Sequence, residues 1–181
     1  MNPWLRASHG TETLAYSGFH CDNRAVRGHF NQSAGIDDVG KQLIEELQRD
    51  GRRSYAALAK TVGLSEAAVR QRVQRLIDSG VMQVVAVTDP LQVGFSRQAM
   101  VGVRAEGDLV HVADALGKID EVDYVVITAG SFDILCELVC EDDDHMLRVL
   151  SERIRMLPGV RDTETFVYLK LTKQTYAWGT R

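Results

Sequence analysis

Cysteine, proline and aromatic residues are scarce in this sequence, and it contains no long apolar run. Its three cysteines, Cys21, Cys136 and Cys140, form an odd and sparse set, which is typical of a reducing compartment rather than of a disulfide framework. No apolar stretch approaches the roughly 18 residues that a membrane-spanning helix needs. Charged residues and histidines interrupt the first twenty positions, so we expect neither a secretory signal nor a membrane protein. The expected location is the cytoplasm.

Charge is unevenly distributed along the chain. Although the formal net charge is −4 at pH 7, residues 51–80 hold six basic residues against two acidic ones. Residues 90–181 hold ten basic residues against fifteen acidic ones. A basic segment of this kind is either a solvated helical face or the footprint of a nucleic acid, and the spacing of its residues distinguishes the two.

Residues 1–35 show neither helical nor strand periodicity, which predicts a loosely ordered N-terminal extension. His9, His20, Cys21 and His29 lie in it, but their spacing matches no zinc-binding pattern. We interpret them as scattered surface residues and expect no metal site there.

After this extension, apolar residues recur at the spacing of one-sided helices, and three consecutive helices are predicted. Asp37, Ser54 and Ser65 precede the three periodic segments and are the expected N-caps. Gly63 provides the turn between the second helix and the third. Two short helices joined by a tight turn that contains glycine, the second of them basic, are typical of a helix-turn-helix DNA-binding unit.

The third helix carries the candidate reading surface. Its apolar stripe consists of Val69, Val73, Leu76 and Ile77, which leaves a polar face on the opposite side. The predicted base-reading residues on that face are Glu66, Ala67, Arg70, Gln71 and Gln74. Arginine and glutamine can form paired hydrogen bonds with guanine and adenine in the major groove. The residues placed to reach phosphates are Arg53, Ser54, Arg72 and Arg75. The alternative is an amphipathic helix that only packs against the other two.

The rest of the chain predicts a second domain. Val81 to Thr88 is rich in β-branched residues, which predicts a strand or hairpin arm, and a linker is expected over 89–96. Residues 97–181 alternate between strand and helix patterns in the order β-α-β-β-α-β. The strands are expected over 98–104, 122–129, 133–140 and 160–171. This order is typical of a ferredoxin-like fold, in which both helices cover one face of an antiparallel sheet. The uncovered face predicts a homo-oligomer.

The predicted fold class is therefore α+β. An N-terminal helix-turn-helix (winged-helix-like) domain spans residues 36–88, including the linking strand. A C-terminal ferredoxin-like βαββαβ domain spans residues 97–181.

Motifs for catalysis or cofactor binding are missing from the sequence. It contains no nucleophile elbow, no dinucleotide or phosphate loop, no zinc-protease motif and no paired C-x-x-C, so we expect no enzyme, cofactor or metal. The acidic run 141–145 lies where a helix is predicted to begin, and acidic residues there complement the helix dipole. Cys136 and Cys140 lie on the apolar side of a strand, which favours a place in the core.

The turn from Thr128 to Asp133 has two interpretations. Thr128, Ser131 and Asp133 place two hydroxyls and a carboxylate around Gly130, a set that suits the ammonium group of a bound amino acid. The same residue types are typical of an ordinary hairpin turn. The candidate effector-binding residues are Thr128, Gly130, Ser131 and Asp133, and the simple turn stays open as the alternative.

Two stretches of the sequence together resemble one known family. The first runs from Ile36 to Val81 and includes Leu58-Ala59, Val62-Gly63-Leu64-Ser65 and Arg75-Leu76. The second includes Gly130-Ser131-Phe132-Asp133 and Leu157-Pro158-Gly159-Val160 in the expected order. Over about residues 36–178 the chain is similar to the Lrp/AsnC, or feast/famine, family of bacterial and archaeal transcription regulators.

This resemblance implies a cytoplasmic, nucleoid-associated transcription regulator that binds double-stranded DNA through a recognition helix spanning Ser65 to Arg75. It implies that the second domain dimerises and often assembles into tetramers or octamers. It further implies that amino acids or related small molecules bind between sensing domains, with 130–133 in the sensing region, and shift assembly or DNA affinity. Gly40 and Ser131 depart from the family, since acidic residues occupy these positions in it or in its well-known members.

Two other functions stay open on this scaffold. Relatives with this architecture have been recruited to decarboxylate modified tetrapyrroles, which would make the protein an enzyme. An effector-independent architectural DNA-binding protein is the second. The polar face of the third helix and the basic segment favour DNA binding over the enzyme, which would need neither.

Overall fold

The computed structural model describes residues 35–181. Residues 1–34 of the predicted extension, with His9, His20, Cys21 and His29, therefore lie outside the described residues. In order along the chain, the elements are α1 (Asp38–Arg49), α2 (Tyr55–Val62), α3 (Glu66–Asp78), a 3₁₀ turn (Pro90–Gln92), β1 (Arg97–Ala105), α4 (Leu109–Leu116), β2 (Val122–Ile127), β3 (Ile134–Cys140), α5 (Asp143–Arg148), a π-helical segment (Val149–Ile154) and β4 (Val160–Val167).

The chain divides into two compact units. The helical unit extends up to Val84 and also includes Ala177–Arg181, and the sheet unit comprises Val85–Tyr176. None of the helices in the described part of the chain has the length and apolar composition that crossing a membrane requires.

Each helix of the helical unit begins at the N-cap that the sequence predicts. Asp37 Oδ1 accepts a hydrogen bond from Gly40 N at 2.8 Å. Ser54 Oγ and Ser65 Oγ each accept one at 3.2 Å from the amide three residues further on. These bonds satisfy amides that helix geometry leaves without a partner in the helix. Gly63 has a φ of +70°, which lets the chain turn tightly from α2 into α3.

One buried cluster holds the three helices together. Its members are Leu43, Leu47, Leu58, Ala59, Val69 and Val73. Ile77 is partly buried against this cluster, and Leu76, which the sequence also places in the core, is only partly buried. Because Val69 and Val73 fix one side of α3 in the core, the opposite side of this helix faces outward.

Gly40 lies close to two side chains at the start of α1. A Cβ atom at this position would lie 2.7 Å from Ile36 Cγ2 and 3.0 Å from the capping oxygen of Asp37. A larger residue at this position therefore requires the Ile36 and Asp37 side chains to shift, and glycine avoids that shift.

The sheet unit confirms the predicted order β-α-β-β-α-β. Its strands form one antiparallel sheet in the order β2-β3-β1-β4, the ferredoxin-like arrangement. One face of the sheet packs against α4 and α5 in a core that includes Ala99, Val101, Val103, Val112, Leu116, Ile134, Cys136, Leu138, Met146 and Ile154. The strand residues of this core alternate with side chains on the other face, which no element of the unit's described residues covers. We call this second face the open face.

The prediction of a strand over 81–88 is wrong for this chain, since these residues join no sheet among the described elements. Val81, Val84, Val85 and Val87 are instead exposed. β-Branched residues favour an extended backbone, but a strand also needs a neighbour to satisfy its amide and carbonyl groups. The four strands of the sheet provide none for this segment.

Several boundaries also differ from the expected ones. β2 ends at Ile127 and β4 at Val167, both earlier than the sequence suggests, and α5 continues into the π-helical segment. The residues past Ile127 turn instead of extending, because Thr128 bonds back to the turn residues described below.

Candidate functional site

The outward side of α3 carries the predicted base-reading residues as one exposed surface. These residues are Glu66, Ala67, Arg70, Gln71 and Gln74. None of them belongs to the buried cluster, so their side chains are available to a partner. Gln74 Nε2 donates to Asp78 Oδ1 at 2.8 Å, a bond within the same helix that a base edge can replace.

Arg70 has the most defined surroundings on this surface. Its Nη2 donates to Glu66 Oε1 at 3.2 Å, one helical turn earlier. Its guanidinium carbon lies 4.8 Å from the centroid of the Tyr55 ring, at the start of α2. The Arg70 side chain is nevertheless 63% exposed, so most of its five N–H donors remain free for a ligand.

Two arginines that the sequence places near phosphates instead form ion pairs inside the helical unit. Arg72 Nη1 donates to Asp37 Oδ2 at 2.6 Å. Arg53 pairs with the buried carboxylate of Glu46 and donates from Nη2 to Thr61 Oγ1 at 2.8 Å. Ion pairs of this kind lower the net charge that these arginines offer to a phosphate.

The hydrogen bond from Arg72, followed by the backbone bond from Gly40, holds the pKa of Asp37 below its usual value. The carboxylate that caps α1 is thus kept ionised by a residue of α3. Arg75 is exposed and forms no ion pair with any residue that the structure describes. Ser54 and Ser65 serve as N-caps, and the hydroxyl oxygen of each accepts a hydrogen bond from a helix amide.

The turn between β2 and β3 is closed by its own polar groups. Thr128 Oγ1 donates to the carbonyl of Phe132 at 2.6 Å, and the Thr128 amide donates to the carbonyl of Asp133 at 2.8 Å. Asp133 Oδ2 accepts a hydrogen bond from the Ala105 amide at 2.9 Å. Two of the four candidate effector residues therefore have structural roles in the sheet unit.

The other two candidates leave free groups at the tip of this turn. The Ser131 hydroxyl forms no hydrogen bond with a described residue, although its carbonyl accepts one from Arg104 Nε at 3.2 Å. A Cβ atom at Gly130 would meet nothing within 4 Å. Arg104 also stacks on the Phe132 ring, 4.7 Å from its centroid, and pairs with Asp162 at 2.7 Å.

Matches to family models agree with both units. An AsnC-type helix-turn-helix domain matches residues 36–77, and an AsnC regulator domain, described as a C-terminal dimeric alpha+beta barrel domain, matches residues 95–181. The proline dehydrogenase transcriptional activator of Rhizobium radiobacter is 35% identical over 145 residues, which cover 77% of this chain and 93% of the relative. The chain belongs to the Lrp/AsnC family of transcriptional regulators.

Solved structures of this family share the fold. The leucine response regulatory protein (LrpA) of Mycobacterium tuberculosis is 30% identical, with a TM-score of 0.69 over 77% of this chain and 96% of that one. A transcriptional regulator of Neisseria meningitidis in complex with L-Met is 24% identical, with a TM-score of 0.68 over 79% of this chain and 96% of that one. The predicted fold class and the DNA-binding helix-turn-helix are thereby confirmed.

The open face of the sheet unit is apolar enough for the dimer that the Lrp/AsnC domain model describes. Tyr124 and Phe166 are 51% and 45% exposed, and the Phe132 and Phe166 rings meet edge to face at 6.0 Å. By strand alternation, Met100 and Leu135 share this face. Large apolar side chains of this kind on one sheet face mark an interaction surface.

A carboxylate lies in the middle of the open face. Glu137 Oε1 accepts a hydrogen bond from Gln98 Nε2 at 2.8 Å. Burial and the charge of Glu137 raise the pKa of Asp123, and the same two causes raise the pKa of Tyr168 to about 12. The ionised form of Asp123 is thus disfavoured on this face.

The expectations for the cysteines and for the acidic run agree with the structure. Cys136 and Cys140 are fully buried, and burial raises the pKa of their thiols to about 12 and about 11, which keeps them protonated and unreactive. Asp142 is the N-cap of α5 and accepts from the His145 amide at 2.7 Å. No group of metal-ligating side chains is assembled within residues 35–181.

Sequence reasoning missed two features near these sites. The Tyr55 ring at the start of α2 contacts the Arg70 guanidinium on α3, and no periodicity in the sequence indicates this contact. His145 Nε2 lies 3.1 Å from Glu121 Oε1. Burial is the largest single influence on the pKa of Glu121 and acts to raise it, but the hydrogen bonds from His145 and from the Glu121 backbone, together with the charges of Arg153 and His145, lower the pKa overall. The acidic residue 24 positions before a histidine gives no local signal of this pairing.

Proposed function

We propose that this Lrp/AsnC protein is a sequence-specific DNA-binding transcription regulator that reads bases with the outward side of α3. The observation that carries the proposal is the exposed set Glu66, Ala67, Arg70, Gln71 and Gln74 on a helix fixed by buried valines. Small groups near the start of this helix allow close approach to the major groove, and the arginine and glutamines supply paired hydrogen bonds to bases.

The helical unit contributes phosphate contacts around this reading surface. Arg75, which has no ion-pair partner in the described chain, is the arginine of α3 most available for that role. Arg72 and Arg53 contribute less, since each already neutralises a carboxylate. This division replaces the equal weight that the sequence alone gives to the three arginines.

The test is a binding experiment on DNA sites selected from a random library by the full-length protein. Arg70→Ala should lower the affinity for the selected site by about 1–3 kcal/mol and relax the base preference. Arg148→Ala, which removes an exposed arginine of the sheet unit, is the matched control and should leave both unchanged. If Arg70→Ala retains both affinity and preference, α3 does not read the bases with this face.

We also infer that the regulator responds to an amino acid or a related small molecule at the turn between β2 and β3. Asp133 Oδ1 and the Ser131 hydroxyl have no partner among residues 35–181, and Gly130 leaves open space beside them. A carboxylate oxygen and a hydroxyl suit an ammonium group. The complex of a Neisseria meningitidis regulator with L-Met supports an amino acid as the class of ligand.

Calorimetry with each of the twenty amino acids tests the effector, and light scattering on the same samples follows the size of the assembly. Asp133→Asn keeps an oxygen for the Ala105 amide but loses the charge, so it should fold, bind DNA and fail to respond. If no amino acid binds below millimolar concentration, the protein is an effector-independent DNA-binding protein or senses another class of molecule.

We propose that a second copy of the chain covers the open face, with larger assemblies built from such dimers. In a monomer the aromatic rings of Tyr124 and Phe166 are exposed to water, and a second copy on the open face would bury them. A two-fold dimer also presents two copies of α3 to a two-fold operator. Light scattering that reports a monomer at micromolar concentration would contradict this arrangement.

A further inference from the structure

Tyr55 is the aromatic residue that contacts the reading surface from another helix. It is the first residue of α2, and its ring is partly buried against the cluster that holds the three helices together. The position of this ring is therefore fixed by the core and not by the exposed surface. From there it meets the Arg70 guanidinium at 4.8 Å.

Glu66 restrains the same guanidinium from a second direction. Its Oε1 accepts from Arg70 Nη2 at 3.2 Å, so the arginine is held by a ring on its face and by a carboxylate at its edge. An arginine fork loses less conformational freedom on binding when its plane is set in advance. Paired recognition of guanine O6 and N7 needs that plane to be aligned with the base.

The charge of Glu66 also decides what Arg70 can bind well. A carboxylate 3.2 Å from the guanidinium repels a phosphate, which carries a full negative charge, more strongly than it repels the uncharged edge of a base. It can itself accept a hydrogen bond from the amino group of a cytosine, the donor that lies beside guanine in the major groove. The pair is therefore suited to a G·C base pair and poorly suited to the DNA backbone.

We propose that Tyr55 is a positioning residue for base reading, which holds Arg70 in the plane that, together with Glu66, selects a G·C base pair at one position of the operator. This inference rests on the proposed function of α3. It assigns the partner chemistry of one position in the site and adds a residue outside α3 to the determinants of specificity.

The experiment measures base discrimination at that one position. The full-length protein selects sites from a random library, and dissociation constants are then measured for the selected site and for the same site with G·C replaced by A·T. The ratio of the two constants is the readout. Because both constants are measured on one preparation, any loss of folded protein cancels in the ratio.

Tyr55→Leu and Tyr55→Phe form the matched pair of variants. Leucine keeps apolar packing against the core but removes the ring, and a cation–π contact at an exposed site is worth enough to lower the ratio about two- to fivefold. Phenylalanine keeps the ring and should retain the wild-type ratio. If Tyr55→Leu keeps the wild-type ratio, or if Tyr55→Phe loses as much as Tyr55→Leu, the ring does not position Arg70.

Glu66→Gln tests the second half of the proposal independently. It removes the negative charge beside Arg70, so binding to unrelated DNA should strengthen and depend more steeply on salt, while the G·C ratio falls. An unchanged ratio in Glu66→Gln would overturn the assignment of this pair. Arg70→Ala distinguishes a failure of the positioning role from a failure of the proposed function. If Arg70→Ala lowers the ratio while both Tyr55 variants leave it unchanged, only the positioning role of Tyr55 is contradicted. If Arg70→Ala leaves the ratio unchanged, the proposed function of α3 is contradicted.

Discussion

The reading surface of α3 and the turn between β2 and β3 contain similar polar residues but use them differently. On α3 the backbone is satisfied by the helix, so the polar side chains of the reading surface hydrogen-bond to other side chains, as Gln74 does to Asp78. In the turn the backbone is not satisfied by a ladder, and Thr128 and Asp133 bond to backbone groups instead. Polar side chains on a helix are thus free for a partner, whereas those in a turn are first needed by the fold.

This difference predicts where a substitution acts. Changes on the outward side of α3 should alter DNA binding and leave the stability of the protein unchanged. Changes at the bonded positions of the turn should alter stability first, and any effect on ligand binding has to be separated from it.

The largest effect on stability is expected at Asp133. Asp133→Ala leaves the Ala105 amide without its partner at 2.9 Å, which should lower the free energy of unfolding of the sheet unit by about 1–3 kcal/mol. Urea denaturation at pH 7 measures this change. Ser131→Ala is the control, since its hydroxyl bonds to no described residue, and it should unfold like the wild type. Equal unfolding of wild type and Asp133→Ala would show that the turn does not depend on this bond.

Particular residues show how far the sequence could take the description. The caps Asp37, Ser54 and Ser65 and the order of strands follow from local patterns, because capping and periodicity depend on residues three or four positions apart. The alternation of strand residues places Cys136 in the core by the same rule. These features are local, so one sequence suffices to predict them.

Partners across long separations could not be predicted in this way. The Arg72–Asp37 pair spans 35 residues and the Arg97–Asp143 pair 46, and neither leaves a signal in the spacing of the sequence. The segment 81–88 shows the opposite error, since its composition favours a strand but composition does not supply a neighbouring strand. Which arginines are free for DNA therefore required the structure.

Adjacent arginines provide a sharper form of the same comparison. Arg53 is partly buried, pairs with Glu46 and donates to Thr61, whereas the Arg52 side chain is exposed and pairs with no residue in the described range. Arg53→Ala should lower the free energy of unfolding by about 1 kcal/mol, because it removes a hydrogen bond and one partner of a buried carboxylate that still retains Arg49. Arg52→Ala should not change it. Thermal unfolding of the two variants at equal protein concentration measures both changes in stability. Equal losses of stability in the two variants would mean that the Arg53–Glu46 pair does not stabilise the protein.

The smallest expected effect concerns the cap of α1 and its dependence on pH. The Arg72 guanidinium, with the Gly40 amide, lowers the pKa of Asp37 in the folded protein. A carboxyl group with a lowered folded pKa stabilises the protein above its unfolded pKa of about 3.9, and this contribution is lost as the pH falls through the folded pKa. In Arg72→Ala the pKa of Asp37 should return toward the usual value, so the variant should lose less stability than the wild type below about pH 4.

A titration of the Gly40 amide by NMR reports the pKa of Asp37 directly, because this amide donates to the Asp37 carboxylate at 2.8 Å. Arg75→Ala is the control, since Arg75 acts on Asp37 only through its charge and not through a hydrogen bond. A titration midpoint that is the same in wild type and Arg72→Ala would show that Arg72 does not bind Asp37 in solution, and Arg72 would then rejoin Arg75 among the arginines available to phosphates.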